Sequence, residues 1–401
     1  MAHTHTKSAP GFSPRASAAL LTAILMAFLA AAAAPTPLYA LYRETWHFSP
    51  ALLTLAFSIY AGGLMLALLV FGSLSDYLGR RPLIRAALIL ELLAMALFLY
   101  ANSVELLIAA RLLQGFATGI ATAVLGAAML DIDRERGPLI NSVAPMLGMA
   151  MGALGSSALV QWGDDPLHRV YVWLLVLFAL GIVLLRWLPE SVSKQPGALA
   201  ALKPRIRIPP QARRAFWSVA PLNASLWALG GFYLSLGPTL ARQVTGLQVP
   251  MIGGALVSLL CLCGALAIFA LRNEPAAVIL RRGALALIVG LMITLSGVDA
   301  ANLWLFFLGT AVAGLGFGGA FLGALRSVVP LAHPHERGAL MASFYVLSYL
   351  AFSVPAILAG LAIQRYGLVA TTNGYASLQI IAASLVLLLS LRAAAAQKVR
   401  A

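Results

Sequence analysis

The chain has 401 residues, of which 61% are hydrophobic and only 10% charged, with a mean hydropathy of +0.91. That composition excludes a water-soluble domain of this size and points to a polytopic membrane protein. A net charge of +14 raises nucleic acid as a partner, but no basic module with interleaved aromatics is present to bind one.

Residues 1–15, including His3 and His5, read as a polar tail. The apolar run from Ala16 to Leu38 is too long for the core of a cleaved signal peptide and lacks a cleavage site, so it is read as the first spanning helix. Twelve spans are expected, near 16–39, 50–74, 82–101, 105–130, 138–162, 169–189, 215–240, 250–271, 283–299, 302–328, 338–364 and 374–392. With the N-terminus inside, 22 of the 27 Lys and Arg residues fall on cytoplasmic segments or the adjoining helix ends. The other five are Arg43, Arg111, Arg169, Arg242 and Arg365. The positive-inside rule then places both termini in the cytoplasm, and the basic charge becomes topology plus attraction to anionic lipid.

Between the second and third spans, residues 72–82 form a charged turn broken by glycine. Asp76, Arg80 and Arg81 need hydration there, and Gly79 lets the chain reverse. Glu91 is the only carboxylate near the middle of a span, where an ionised form is costly; it is either a proton carrier or a hydrogen-bond partner of a neighbouring helix. Arg111, about 9 Å inside the fourth span at 1.5 Å per residue, either snorkels outward or faces a central cavity with Gln114 and Thr118, which share its helical stripe. Cys261 and Cys263, two apart in the eighth span, point to different faces of a helix and cannot pair; without His or acid at ligand spacing they read as packing residues, not metal ligands. The glycines of the fourth, fifth and tenth spans mark close helix approach.

The one long polar segment, 190–214, divides the chain into bundles at 16–189 and 215–392, with a tail at 393–401. Glu135-Arg136-Gly137 recurs as Glu336-Arg337-Gly338, and the Arg80-Arg81 pair as Arg281-Arg282, both at an offset of 201 residues. Such a repeat predicts two parallel six-helix halves with a site between them.

Gly72, Leu74, Asp76, Gly79, Arg80 and Arg81 match the G-x-L-x-D-x-x-G-R-R/K signature found between spans two and three of the major facilitator superfamily, which the chain resembles throughout its length. Arg111, Gln114 and Gly115 match the R-x-x-Q-G signature of the fourth span, and Pro35 and Pro37 are similar to the proline pair of twelve-span drug and metabolite exporters. The antiporter signature of the fifth span is only partly met, by Gly148, Gly152 and Gly155, with Ala153 in place of proline.

The resemblance implies an all-α polytopic membrane fold of twelve transmembrane helices in two pseudo-symmetric bundles. It implies that Asp76 faces the start of the eleventh span, where a carboxylate stabilises a closed inner gate by about 0.3–2 kcal/mol. Arg80 would complete the latch by pairing with Asp131 or Asp133. It also places Tyr60, Asn223, Trp227, Tyr233, Tyr345 and Tyr349 on helices that line the cavity. No catalytic constellation or nucleotide-binding glycine loop is present, so neither an enzyme nor a cofactor is expected. The expected function is proton-coupled export of a small amphipathic compound across a bacterial inner membrane by a monomer. The alternatives are a proton symporter importing an organic anion, and a non-transporting receptor or scaffold.

Overall fold

The computed structural model describes residues 12–400, with side chains as far as residue 392; His3 and His5 lie outside the described residues. The described residues form helices and short connections, with no β-strand among them. In chain order the helices are α1 (Pro14–Ala33), α2 (Leu38–Trp46), α3 (Pro50–Phe71), α4 (Ser75–Leu78), α5 (Arg80–Leu99), α6 (Val104–Ile132), α7 (Gly137–Trp162) and α8 (Arg169–Leu184). After them come α9 (Ala198–Ala201), α10 (Pro210–Ser235), α11 (Gly237–Thr245), α12 (Pro250–Leu271), α13 (Ala276–Asp299), α14 (Leu303–Val328), α15 (Arg337–Tyr366) and α16 (Leu368–Arg400).

Helix starts follow local chemistry. Ser13, Ser49 and Ser103 accept a backbone N–H of the first turn on their hydroxyls, Asn302 does so with its amide oxygen, and Pro14 and Pro50 occupy first positions where no N–H is missed.

Eleven units are long and apolar enough to cross a membrane, α1 and α2 counting together, and the bent pair α10 and α11 brings the number to twelve. The seventh span is therefore not the straight helix expected over 215–240: it turns by 66° after Ser235. Pro238 has no N–H to give to the carbonyl of Leu234, and its ring pushes the preceding turn aside. Pro35 and Pro37 interrupt the first span too, without a comparable bend. Pro37 and Pro238 stand at the 201-residue offset of the repeat, so both halves break their leading helix at one equivalent point. Several helices also run past the hydropathy limits: α10 begins at Pro210, α13 at Ala276 and α16 at Leu368, because their charged or polar first turns dilute an apolar window without stopping a helix. The expected tail continues α16 to Arg400.

The start of α1, the end of α16, the linker and the Arg80 turn share one side of the bundle, called here the linker face; α2 and α11 lie at the far face. The halves meet along α3 with α15 and along α7 with α12.

The tightest pairing is α13 with α14. Gly283, Gly290 and Gly297 recur every seven residues on one helix, and Gly309, Gly316 and Gly323 on the other. A Cβ at any of the six would strike the opposite helix: Gly290 lies on the backbone of Ala313, Gly316 on that of Leu287. Close backbone approach replaces the hydrophobic effect, which does not favour helix association inside lipid. Gly290→Leu is expected to destabilise the protein by about 1–3 kcal/mol through overpacking, visible as a lower thermal midpoint in detergent.

Candidate functional site

A cavity of about 160 Å³ lies between the halves. Its walls include Tyr60 and Arg111 from the first half and Trp227, Tyr345, Tyr349 and Phe352 from the second. Trp227 anchors the aromatic wall, with ring centroids 4.9 Å from Tyr349 and 5.9 Å from Phe352. Its indole Nε1 is buried without a hydrogen-bond partner among the described residues, leaving a donor free for a ligand. Cys261 also reaches this wall, and both it and Cys263 are free thiols.

Toward the far face the space is shut. Ser58 Oγ donates to the carbonyl of Ser353 at 3.2 Å, and the tilted rings of Phe57 and Phe352 pack with centroids 4.9 Å apart, joining α3 to α15. Ser258 Oγ donates to the carbonyl of Ala150 at 2.7 Å and the amide of Met251 to Gln161 Oε1 at 3.3 Å, joining α12 to α7. Beyond the two proline breaks, Glu44 on α2 and Arg242 on α11 form an ion pair at 3.5 Å. Toward the linker face α3 and α15 diverge around a second space of about 590 Å³, lined by Asp76, Lys203, Arg205, His335 and Gly338 among others. Tyr345 borders both spaces. The chain is thus closed at the far face and hollow toward the linker face.

Arg111 does not snorkel. Its side chain is 1% exposed, and Nη1 donates to Gln114 Oε1 at 2.5 Å and to the carbonyl of Ala32 at 3.1 Å. The guanidinium carbon lies 4.2 Å from the centre of the Tyr60 ring, a cation–π geometry in a desolvated place. Gln114 turns its Nε2 to the carbonyl of Ala31 at 3.0 Å and to Glu91 Oε1 at 3.2 Å. One amide therefore joins the buried guanidinium to the fully buried carboxylate. Glu91 Oε2, Arg111 Nε and the Tyr39 hydroxyl remain without partners among the described residues.

The stripe shared by Arg111, Gln114 and Thr118 faces α1 and α5 more than the cavity, and only the length of Arg111 carries it to the wall. Gln114 and Thr118 are buried away from the wall, Thr118 Oγ1 donating back to the Gln114 carbonyl at 2.9 Å. Asn223 and Tyr233 are also off the wall and hold the second half together. Asn223 Nδ2 donates to Ser348 Oγ, and the Tyr233 hydroxyl pairs with Thr310 Oγ1, each at 2.9 Å.

At the turn, Gly79 has a φ of 95°, which favours glycine, and a Cβ there would also meet the Glu190 carboxylate at 2.8 Å. Arg80 is 7% exposed; its Nε pairs with Asp131 Oδ2 at 2.9 Å and Nη1 with Asp76 Oδ1 and Ser75 Oγ, both at 2.6 Å. Asp133 instead accepts the backbone amides of Glu135 and Arg136. Gly72 caps α3, and Arg81 Nη2 reaches the carbonyl of Arg186 at 3.0 Å. Asp76 and the first turn of α15 border the same space with no hydrogen bond between them, and every side-chain partner of Arg80 belongs to the first half.

Glu190 was absent from the sequence-derived set. Its two oxygens accept the amides of Arg80 at 2.7 Å and Arg81 at 2.9 Å, capping α5 from the end of the sixth span. Nothing near position 190 signals partners some 110 residues away.

A family model described as Major Facilitator Superfamily matches residues 19–298, more than half of the chain. The chain belongs to the Major Facilitator Superfamily. Among curated proteins it is similar to the multidrug resistance protein MdtL of Escherichia coli, 23% identical over 205 residues, 50% of this chain and 51% of that protein. MdtL of Shigella boydii matches to the same extent. The chain spans about half the length of the curated relatives it matches. Among solved structures, the human organic anion transporter MFSD10 (TETRAN) is 19% identical with a TM-score of 0.69, covering 94% of this chain and 100% of that one. A mutant of the nucleoside transporter NupG is 15% identical with a TM-score of 0.72, covering 92% and 99%. These likenesses show the superfamily fold: an all-helical, multi-pass membrane protein of two pseudo-symmetric halves.

Proposed function

We propose that the chain is a secondary active transporter that exports a small amphipathic compound in exchange for protons by alternating access. The observation that carries this is the aromatic space between the halves, shut at one face and hollow toward the other, with the Glu91–Gln114–Arg111 connection running to its wall. Substrate meets Tyr60, Trp227, Tyr345 and Tyr349; Glu91 takes and releases the proton; Gln114 and Arg111 pass its charge state to the cavity. The placement of 22 basic residues supports a cytoplasmic linker face in the proposed bacterial inner membrane, and a monomer would suffice because one chain supplies both halves. A proton crossing about 150 mV releases roughly 3.5 kcal/mol, enough for about a 300-fold gradient of a neutral solute.

The turn is the inner latch, open in this conformation. When the halves close at the linker face, the Asp76 carboxylate meets the amides that begin α15, while Arg80, braced by Asp131, holds it in place. Asp76→Asn is expected to shift the population toward the linker-face-open state by roughly 2- to 30-fold, the equivalent of about 0.3–2 kcal/mol. Distances between spin labels on Gly72 and Gly338 report it; an unchanged distribution means there is no latch.

Import of an organic anion with protons is the second reading, favoured by the unpaired donors Arg111 Nε and Trp227 Nε1. Purified protein in liposomes holding a pH-sensitive dye separates the two. Protons moving against cationic or neutral amphiphiles support export, and protons moving with acids support the symporter. Ligand binding with no flux in either direction leaves a receptor.

A further inference from the structure

A third opening, of about 630 Å³, lies wholly within the second half, between α10, α15 and α16. Leu358, Tyr366 and Leu378 on its walls are 59, 63 and 69% exposed, on the apolar outer surface of a membrane-spanning bundle. The crevice therefore opens sideways into lipid. Most of its polar groups are satisfied within the protein. The Tyr375 hydroxyl donates to the carbonyl of Ala228 at 2.8 Å, Thr371 Oγ1 to that of Gly367 at 2.7 Å, and Ser225 Oγ to that of Pro221 at 2.9 Å.

Gln379 is the exception. It is 4% exposed, lines the crevice, and has both Nε2 and Oε1 buried without a hydrogen-bond partner among the described residues. A primary amide held in an apolar, water-poor setting calls for a partner that donates and accepts at once. On the facing wall, Pro355 has no N–H to give to the Ala351 carbonyl one turn earlier.

Depth selects the partner. Gln379 is near the middle of the 25-residue span Leu368–Arg392, level with the centre of the hydrocarbon. A phospholipid offers only alkyl chain there, since its ester and head groups stay at the interface. Annular lipid can fill the crevice and still leave the amide unpaired.

We propose that this crevice is a lateral binding site for a compact amphipath dissolved in the bilayer, one that carries a carboxamide or similar donor–acceptor group. The polar group pairs with Gln379 and the apolar body lies along α15 and α16. Because α10 shows Ser225 and Ala228 to the crevice and Trp227 and Gly230 to the central space, an occupant bears on the helix that presents Trp227. The site does not depend on which compound crosses the centre.

The test uses the full chain in phosphatidylcholine nanodiscs and a diazirine-bearing N-alkyl carboxamide, with crosslinks mapped by mass spectrometry. Saturable labelling of 221–228 and 351–382 is expected, competed by the unlabelled carboxamide. It should fall at least about tenfold in Gln379→Leu, the loss of a paired hydrogen bond. Gly374→Leu, at a wall position where a Cβ would meet nothing within 4 Å, fills the crevice and should abolish labelling too, which locates the probe. The matching methyl ester, an acceptor without a donor, should compete at least about tenfold more weakly than the carboxamide and decides the role of the amide if the first variant does not fold. A diazirine phosphatidylcholine should label wild type and Gln379→Leu alike. Equal carboxamide labelling of wild type and Gln379→Leu, or equal competition by ester and carboxamide, would overturn the proposal and leave an ordinary lipid groove.

Discussion

Arg111→Met will remove gradient-driven accumulation and lower stability by about 1.5–3 kcal/mol, the cost of losing a buried charge-assisted hydrogen bond. Arg111 Nη1 bridges Gln114 Oε1 and the carbonyl of Ala32, and methionine supplies neither bond. Gln114 then loses the contact that orients its Nε2 toward Glu91, and the carboxylate is left in an apolar core with no cation nearby. Arg111→Lys separates charge from shape. It restores a cation and part of the stability, but one ammonium lacks the planar fork that reaches Gln114 and Ala32 while lying over Tyr60. Less than about a tenth of the wild-type rate is expected to survive, since losing one charge-assisted hydrogen bond costs about 1.5–3 kcal/mol. Thermal unfolding in detergent and flux in liposomes read the two effects separately. A methionine variant that accumulates substrate normally would remove Arg111 from the proposed site.

Glu91→Gln will uncouple the protein without unfolding it. The amide has the size of the carboxyl group, and its oxygen can still accept from Gln114 Nε2, the bond that Glu91 Oε1 makes at 3.2 Å. Stability should stay within about 1 kcal/mol of wild type, the value of one neutral hydrogen bond. Exchange of labelled for unlabelled substrate should persist, because it needs only alternation of the loaded carrier. Net accumulation should fall from about 300-fold to equilibrium, and the dependence of flux on pH should disappear. Full accumulation by this variant at every pH would eliminate Glu91 as the carrier.

Much of the arrangement was legible in the sequence, for a physical reason. In a chain that is mostly apolar, each charge inside a span stands out, so Glu91, Arg111 and the Arg80 turn announce themselves. The repeat was visible because both halves need basic residues at the same loops. Rotation of the apolar helices was not visible. α10 and α15 carry apolar residues on every side, so their pattern does not say which aromatic looks inward; Trp227, Tyr345 and Tyr349 reach the cavity while Tyr233 turns to Thr310. Glu190 stayed hidden because a carboxylate after a span reads as the start of a linker, and only folding brings it to the amides of α5. Pro238 hid inside an apolar run that passes any hydropathy window.

The glycine seam of α13 and α14 has no counterpart in α5 and α6, the equivalent helices of the first half, where Glu91 and Gln114 stand between the backbones. Mechanically the halves are unequal. Two helices locked backbone to backbone form a stiff beam, whereas a pair separated by full side chains is compliant and yields as those side chains change partners. Under the proposed proton coupling, work done in the compliant half would not be dissipated by deformation of its twin: one half would flex, and the other serve as the rigid frame against which it pushes.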